Sequence, residues 1–283
     1  VSFESPLGRA IWVWLEARFP SRPLAPDTVL QLDLGIDSLA WIDLGLALES
    51  RFGVALAEDA FARIVTLGDL IREAEAAGMA GATGQTAKDS LAALEEQWLS
   101  PPGRATRILG TALYGLNWLA VRALFRFRSV GCDHVPAEAQ IVLVSNHQSD
   151  IDAFVLSAAL PWRVVRRLSW GGDVNRLFQS AGRRLIARAM GVIPVDDRAA
   201  GRSVALARAA LARGRSLVWF PEGWRSPDGR LQAFLPGVGL ILRDFHGSVV
   251  PVLIQGAFEA LPRGRRVPRP VRIHVRFGAP IPL

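Results

Sequence analysis

The sequence predicts two domains of different class. An all-α domain covers residues 1–78, an α/β domain with a mostly parallel sheet covers residues 101–283, and a linker with a short helix covers residues 79–100. Three observations carry this. Residues 1–100 hold 7 Lys+Arg against 15 Asp+Glu, a net charge of −8, whereas residues 101–283 hold 26 against 11, a net charge of +15. An acidic front and a basic back argue for domains with different partners, or for domains that attract each other. Hydrophobic periodicity is helical over residues 5–76 and changes from about residue 128 to short β-like runs alternating with helices, the pattern of an α/β layered domain. Between them, Ala77-Gly78-Met79-Ala80-Gly81-Ala82-Thr83-Gly84-Gln85 is small, glycine-rich and without periodicity, as a flexible linker is.

Whole-chain figures bound the class further. With 283 residues, half of them hydrophobic, the chain can bury real cores, and it is neither a disordered tail, a collagen-like fibre nor a disulfide scaffold. Cys132 is the sole cysteine, so no internal disulfide can form. The net charge of +7 and pI near 11.0 invite nucleic acid or an anionic membrane. The basic residues, all arginine except Lys88, are scattered or sit beside an apolar helix. No nucleic-acid-binding motif is present, so nucleic acid is not an expected partner. Val1 to Ala10 lacks a basic stretch followed by an apolar core, so no secretory signal is expected. The absent initiating methionine leads to the expectation of a segment from a longer protein.

In the front domain Ile11, Leu15 and Phe19 form one apolar stripe. A loop with Pro20, Pro23 and Pro26 follows, then a helix from Ser38 to about Phe52. Gly35-Ile36-Asp37-Ser38-Leu39 sits where loop meets helix, and Asp37 or Ser38 alone could serve simply as a cap. The surroundings carry more: Asp43-Leu44, Ala47-Leu48-Glu49 and Phe52-Gly53, then Glu58-Asp59 and Thr66-Leu67-Gly68-Asp69-Leu70. Over about 75 residues this arrangement closely resembles an acyl carrier protein. The resemblance implies a four-helix bundle with 4′-phosphopantetheine attached covalently to Ser38, installed by a phosphopantetheinyl transferase. A serine at a helix N-terminus suits a phosphate ester, because free N–H groups and the helix dipole favour the anion. Asp43, Glu49 and neighbouring acids would form the surface that basic enzymes recognise. A Gly-Asp-Ser-Leu esterase begins with similar letters, but its motif should follow a hydrophobic strand, and Asp27 to Asp33 reads as a loop.

A short helix from Asp89 to Leu99 is expected to stop at Pro101-Pro102. The longest uncharged apolar run, Ile108 to Val121, is bracketed by Arg104, Arg107, Arg122, Arg126 and Arg128. It falls short of the roughly 20 residues a spanning helix needs. With Tyr114, Asn117 and Trp118 inside it, the run suits a helix lying in the membrane interface; a buried core helix fits equally well.

In the back domain Ile141 to Ser145 is an apolar strand, with further strands expected at Ser216 to Phe220, Val249 to Ile254 and Val271 to Phe277. Helices fit Ala153 to Leu160, Leu177 to Met190 and Arg202 to Arg213. Directly after the first strand stands Asn146-His147-Gln148-Ser149-Asp150-Ile151-Asp152, at a strand end, where ligand chemistry collects in an open α/β sheet. A second motif, Phe220-Pro221-Glu222-Gly223-Trp224-Arg225-Ser226, also follows a strand. Its glutamate and arginine flank a glycine, which suits a polar or phosphate head group.

Together these segments resemble the glycerophospholipid acyltransferase family. Asn146-His147 with Asp152 matches its His-x4-Asp motif. Phe220 to Ser226 matches its Phe-Pro-Glu-Gly block, with Trp224 where threonine is usual. Gly229, Leu231, Phe234 and Gly237 follow at family-like spacing, and Val249-Val250-Pro251-Val252 resembles its last block. Gly191 to Arg198 resembles the block that ends in an acceptor-binding arginine, here Arg198, one residue late after two aspartates. The likeness covers about residues 128–280, and the chain stops after Phe277-Gly278-x-Pro280 without a closing helix, as a trimmed segment would.

The resemblance implies transfer of a fatty acyl chain from a carrier-bound or CoA thioester to the hydroxyl of a lysophospholipid or glycerol-phosphate-type acceptor. His147 would act as general base, oriented by Asp152. Glu222, Gly223, Arg225, Ser226 and Arg198 would bind substrate, with no metal. The displaced Arg198 and the bulky Trp224 lie where an acceptor phosphate would be held, so the head group stays open. Expected partners are acyl-ACP or acyl-CoA, a lysophospholipid-type acceptor, an anionic membrane surface met by helices at the start of the α/β domain, and an acyl-activating domain. The expected location is cytoplasmic, peripheral on the inner face of the cell membrane. Two other readings stay open: a carrier and membrane-docking module without transfer activity, and an acyl thioesterase.

Overall fold

The computed structural model of the chain describes residues 5–20, 22–36, 38–54, 56, 60–80, 84–196, 200–235 and 237–283. The chain divides into two compact units, residues 1–94 with 197–205, and residues 95–196 with 206–283.

The first unit is helical: α1 (Pro6–Arg18), α2 (Ser38–Phe52), α3 (Ala60–Arg63) and α4 (Leu67–Ala80). Ser5 caps α1 by accepting from the Gly8 N–H at 2.9 Å, and Pro6 occupies the first turn, where no N–H is needed. Ile11 and Leu15 of α1 pack with Leu44 and Leu48 of α2 and with Leu67, Leu70, Ile71 and Ala74 of α4. The spacing in α4 is the i, i+3, i+4, i+7 of one helical face. Arg18 holds Asp43 at 2.5 Å, tying α1 to α2.

Thr66 and Asp69 form a capping box at the start of α4. The Asp69 N–H donates to Thr66 Oγ1 at 3.2 Å, and Asp69 Oδ2 accepts from the Thr66 N–H at 2.9 Å. The Thr66 N–H and hydroxyl hold the Asp69 carboxyl below its ordinary value of 3.8. Its stabilising contribution is therefore full above 3.8 and is lost as pH falls through the lowered value. Thr66→Ala should cost about 1 kcal/mol, read as a lower unfolding midpoint of this unit, and the deficit should shrink in acid as Asp69 protonates.

Next comes α5 (Gly84–Leu99), so the helix expected from Asp89 starts five residues earlier and the glycine-rich stretch is helical on both sides of residues 81–83. Its last turn packs within the α/β unit, with Trp98 edge-on to Phe178 at 4.8 Å. Then α6 (Arg104–Leu124) covers the apolar run. It is not a buried core helix, since only Gly110 and Val121 are buried. Its inward side joins the apolar core through Val121 and adds polar anchors: Tyr114 Oη donates to the Leu160 carbonyl at 2.8 Å, and Asn117 Nδ2 to Phe154 O and Ser157 Oγ, both at 2.9 Å. Ile108, Leu116, Trp118, Leu119 and Leu124 are exposed. Among the described residues no helix is long and apolar enough to cross a membrane.

The rest of the α/β unit runs β1 (Arg126–Val130), β2 (Ile141–Ser145), α7 (Asp152–Ala159), α8 (Trp162–Val165), β3 (Leu168–Asp173), α9 (Val174–Leu177), α10 (Ala181–Ala189), β4 (Val192–Val195), α11 (Ala200–Ala212), β5 (Ser216–Trp219), α12 (Gly237–Leu242), β6 (Ser248–Gln255), α13 (Ala257–Ala260), β7 (Arg272–Phe277) and β8 (Ile281–Pro282). The sheet order is β1-β7-β6-β2-β5-β3-β4, with β8 paired to β6. Pairing is parallel except that β7 and β8 run antiparallel to β6. The central strand β2 pairs with β5 and β6, setting Leu143 beside Val218 and Val250, and all three side chains are buried. That two-sided burial is what a parallel sheet requires.

Two strands were not legible as apolar runs. β1 alternates arginine with Phe127 along Arg126-Phe127-Arg128, and β3 ends in Gly171-Gly172-Asp173. There a Cβ on Gly172 would stand 2.4 Å from Val192, so the close β3–β4 contact excludes larger residues. The single helix expected over Leu177–Met190 is two, because Ser180 caps the second by accepting from the Arg183 N–H.

Candidate functional site

Both motifs stand in loops at the C-terminal ends of adjacent parallel strands. Asn146, just after β2, imitates a ladder partner for β6: its Nδ2 donates to Ile254 O at 2.9 Å and its Oδ1 accepts from Ile254 N–H at 2.7 Å. The end of β2 is thereby pinned, and His147 follows it into the open.

His147 Nδ1 lies 2.8 Å from Asp152 Oδ2, at the first turn of α7. The same Asp152 oxygen accepts from the Gln148 and Ser149 N–H groups at 2.6 and 2.8 Å. Asp152 is fully buried, and burial pushes its carboxyl above the ordinary 3.8 while the histidine and the two N–H groups pull it back. The imidazole stacks on Phe220 at 4.3 Å and 23°. Its ring is partly open to solvent, with Nδ1 committed to Asp152 and Nε2 left as the free basic nitrogen.

The second motif is wired to the backbone of the first. Glu222 is buried, and its Oε1 accepts from the His147 N–H at 2.7 Å while Oε2 accepts from the Gln232 N–H at 2.9 Å. Ser226, with no exposed surface, donates its N–H to the His147 carbonyl at 2.8 Å. Both were expected as substrate contacts; here the Glu222 carboxylate and the Ser226 backbone N–H tie the two loops together. Gly223 between them has φ of 73°, and a Cβ there would meet Leu235 at 2.4 Å, so only glycine fits the turn.

Arg225 reaches the first motif through Asp150, with Nη1 at 2.6 Å from Oδ2. Arg176 of α9 holds the same carboxylate at 2.7 and 3.1 Å. Arg225 also lines a cleft of about 500 Å³ with Trp224, Pro227, Gln232 and Arg263. Gln148 Nε2 donates to Gly229 O and Ser149 Oγ to Leu261 O, each at 2.7 Å, which draws two further loops to the same edge. Arg198 and Asp37 lie outside the described residues.

The structure thus brings His147, Asp152, Glu222, Gly223, Arg225 and Ser226 to one place. Sequence reasoning missed the tethering roles of Asn146, Gln148 and Ser149 and the pairing of Asp150, all within the first motif; only their polarity in a strand-end loop marked them. Among the described residues no group of three or more His, Cys, Asp or Glu side chains could hold a metal ion. In the helical unit Ser38 opens the 15-residue α2, whose first turn contains no acidic residue. That end suits a phosphate ester such as the one through which phosphopantetheine is attached.

Residues 126–255 match the family model described as Acyltransferase, and residues 15–73 match the one described as Phosphopantetheine attachment site. The 1-acyl-sn-glycerol-3-phosphate acyltransferase of Limnanthes alba is 32% identical over 156 residues, 53% of this chain and 53% of that protein. The 1-acyl-sn-glycerol-3-phosphate acyltransferase alpha of Bos taurus is 29% identical over 160 residues, 54% and 53% of the two chains. The chain spans about half the length of the curated relatives it matches. In fold, the α/β part is like the 1-acyl-sn-glycerophosphate (LPA) acyltransferase PlsC from Thermotoga maritima, with a TM-score of 0.55 and 21% identity over 67% of this chain and 76% of that one. Sheet, motifs and matches agree: the chain carries a phosphopantetheine-attachment domain at residues 15–73 and an acyltransferase-family domain at residues 126–255.

Proposed function

We propose that this protein moves a fatty acyl chain from a thioester to the hydroxyl of a glycerolipid-type acceptor, and that its carrier domain, a four-helix bundle over residues 1–78, holds the chain on Ser38. The observation that carries the reading is the His147–Asp152 pair at 2.8 Å, at the mouth of an acyltransferase-family domain fused to a carrier.

When attached, the arm supplies a thiol on which the acyl chain rides as a thioester. The residues of the α/β domain do the rest. With Nδ1 engaged by Asp152, His147 takes the acceptor's hydroxyl proton at Nε2, a C–O bond forms as the thioester C–S bond breaks, and the proton returns to the departing thiol. The Asp152 carboxylate fixes the tautomer and stabilises the charged ring. Arg225 stands where it can orient an acceptor head group. The outward apolar face of α6, flanked by Arg104, Arg107 and Arg122, supports peripheral docking on an anionic bilayer, which we assign to the inner face of the cell membrane. A phosphopantetheinyl transferase, acyl-ACP or acyl-CoA and an acyl-activating domain complete the partners.

The test loads the full chain with an acyl-phosphopantetheine arm and follows its intact mass on adding lysophosphatidate or monoacylglycerol vesicles. Acceptor-dependent loss of the acyl mass, with the matching diacyl product, is the expected result. Acceptor-independent release of fatty acid would make the protein a thioesterase, and a stable thioester with every acceptor would make it a delivery module. Ser38→Ala should gain no arm while still using external acyl-CoA at an undiminished rate. Arm attachment to that variant would place the cofactor elsewhere.

A further inference from the structure

Asp150 stands three residues after His147 and is held by two arginines from different elements, Arg176 at 2.7 and 3.1 Å and Arg225 at 2.6 Å. The trio carries one net positive charge. A guanidinium has five N–H donors, more than these contacts use. Arg225 and Arg263 both line the cleft, and Ser226, next to Arg225, bonds the His147 carbonyl at 2.8 Å. An acceptor whose hydroxyl reaches His147 therefore brings its head group toward Arg225. A phosphate bound there would share the Arg225 guanidinium with the Asp150 carboxylate, and like charges held by one guanidinium repel even at a high effective dielectric. The repulsion grows with acceptor charge: a phosphate monoester carries nearly two negative charges at neutral pH, a phosphodiester one, and a glycerol ester none.

We propose that Asp150 is a specificity-determining residue that selects the acceptor by charge, disfavouring a dianionic phosphate monoester relative to acceptors with one negative charge or none. The proposal rests on the acyl-transfer reading for its consequence, but its physical content, an anion site restrained by its own carboxylate, can be read without turnover. Asp150→Asn keeps the shape and one hydrogen-bond acceptor while removing the charge.

In the full chain, the ratio of KM for lysophosphatidate to KM for monoacylglycerol should fall about tenfold or more in Asp150→Asn. The dissociation constant for glycerol 3-phosphate, measured by calorimetry, should fall by a similar factor. Arg176→Gln should move both quantities the other way, because Asp150 then faces Arg225 alone. A KM ratio or dissociation constant that is unchanged or raised in Asp150→Asn, or calorimetry showing no binding to either protein, overturns the proposal; a raised value would mean that the carboxylate aligns the arginines. If the wild-type chain acylates no acceptor, the acyl-transfer reading fails and the calorimetry alone decides the role of Asp150.

Discussion

His147→Ala should lower acyl transfer by about 10²–10⁴-fold, the range that a positioned general base supplies. The fold should survive, because the loop is held by the backbone of His147, whose N–H meets Glu222 and whose carbonyl meets Ser226, and alanine keeps both. What the variant loses is the ring stacked on Phe220 and the partner of Asp152. The buried Asp152 then keeps only two backbone donors against the burial that already raises it above 3.8. A carboxyl raised by folding binds its proton more tightly in the native state, so its contribution is full below 3.8 and declines as pH rises through the raised value. The variant should therefore fall further below the wild type in unfolding midpoint in mildly alkaline than in mildly acidic buffer. Near-normal turnover in His147→Ala, with the acceptor saturating, would remove this histidine from the mechanism.

Glu222→Ala should destabilise the α/β unit by about 3 kcal/mol, since hydrogen bonds to a charged group contribute roughly 1.5–3 kcal/mol each and this buried carboxylate receives two. Transfer should collapse with it, because the His147 N–H and the Gln232 N–H are left without their acceptor and the two loops lose their common anchor. Glu222→Gln should fall between, since an amide offers one acceptor oxygen and turns an NH₂ toward the other donor. Urea unfolding followed beside kcat and KM checks this. An alanine variant with the wild-type midpoint and only a raised acceptor KM would return Glu222 to the role of substrate contact.

The difference between those roles shows what a sequence can and cannot display. Residue type and spacing were enough to find His147 with Asp152, the Phe220 to Ser226 block and the helix opening at Ser38. They were enough for β2 and β5, whose continuous apolar runs announce a doubly covered strand. They could not show which polar side chains face inward. Glu222 and Ser226 look like ligand contacts in a one-dimensional motif, yet both are buried, and they meet the His147 backbone through a carboxylate and a main-chain N–H. Nor could they show β1 and β3, which are built from arginine and glycine and take their extended form from neighbours: β1 from β7, and β3 from β4 and β5. Asp150 belongs to the same class, since its partner Arg176 is 26 residues away in sequence.

The tethers around the histidine loop share one property with an evolutionary consequence. Asn146 bonds both the carbonyl and the N–H of Ile254, Gln148 reaches the Gly229 carbonyl, and Ser149 reaches that of Leu261. Each restrains a main-chain atom of its partner, which nearly any amino acid would present. The bonds themselves thus make a one-sided demand on sequence: they hold the first motif to its letters, while their partners are limited by other causes, Ile254 by burial and Gly229 by its φ of 82°. A chain built this way can diversify the walls of its cleft, and with them its choice of acceptor, without reassembling its proton-transfer machinery.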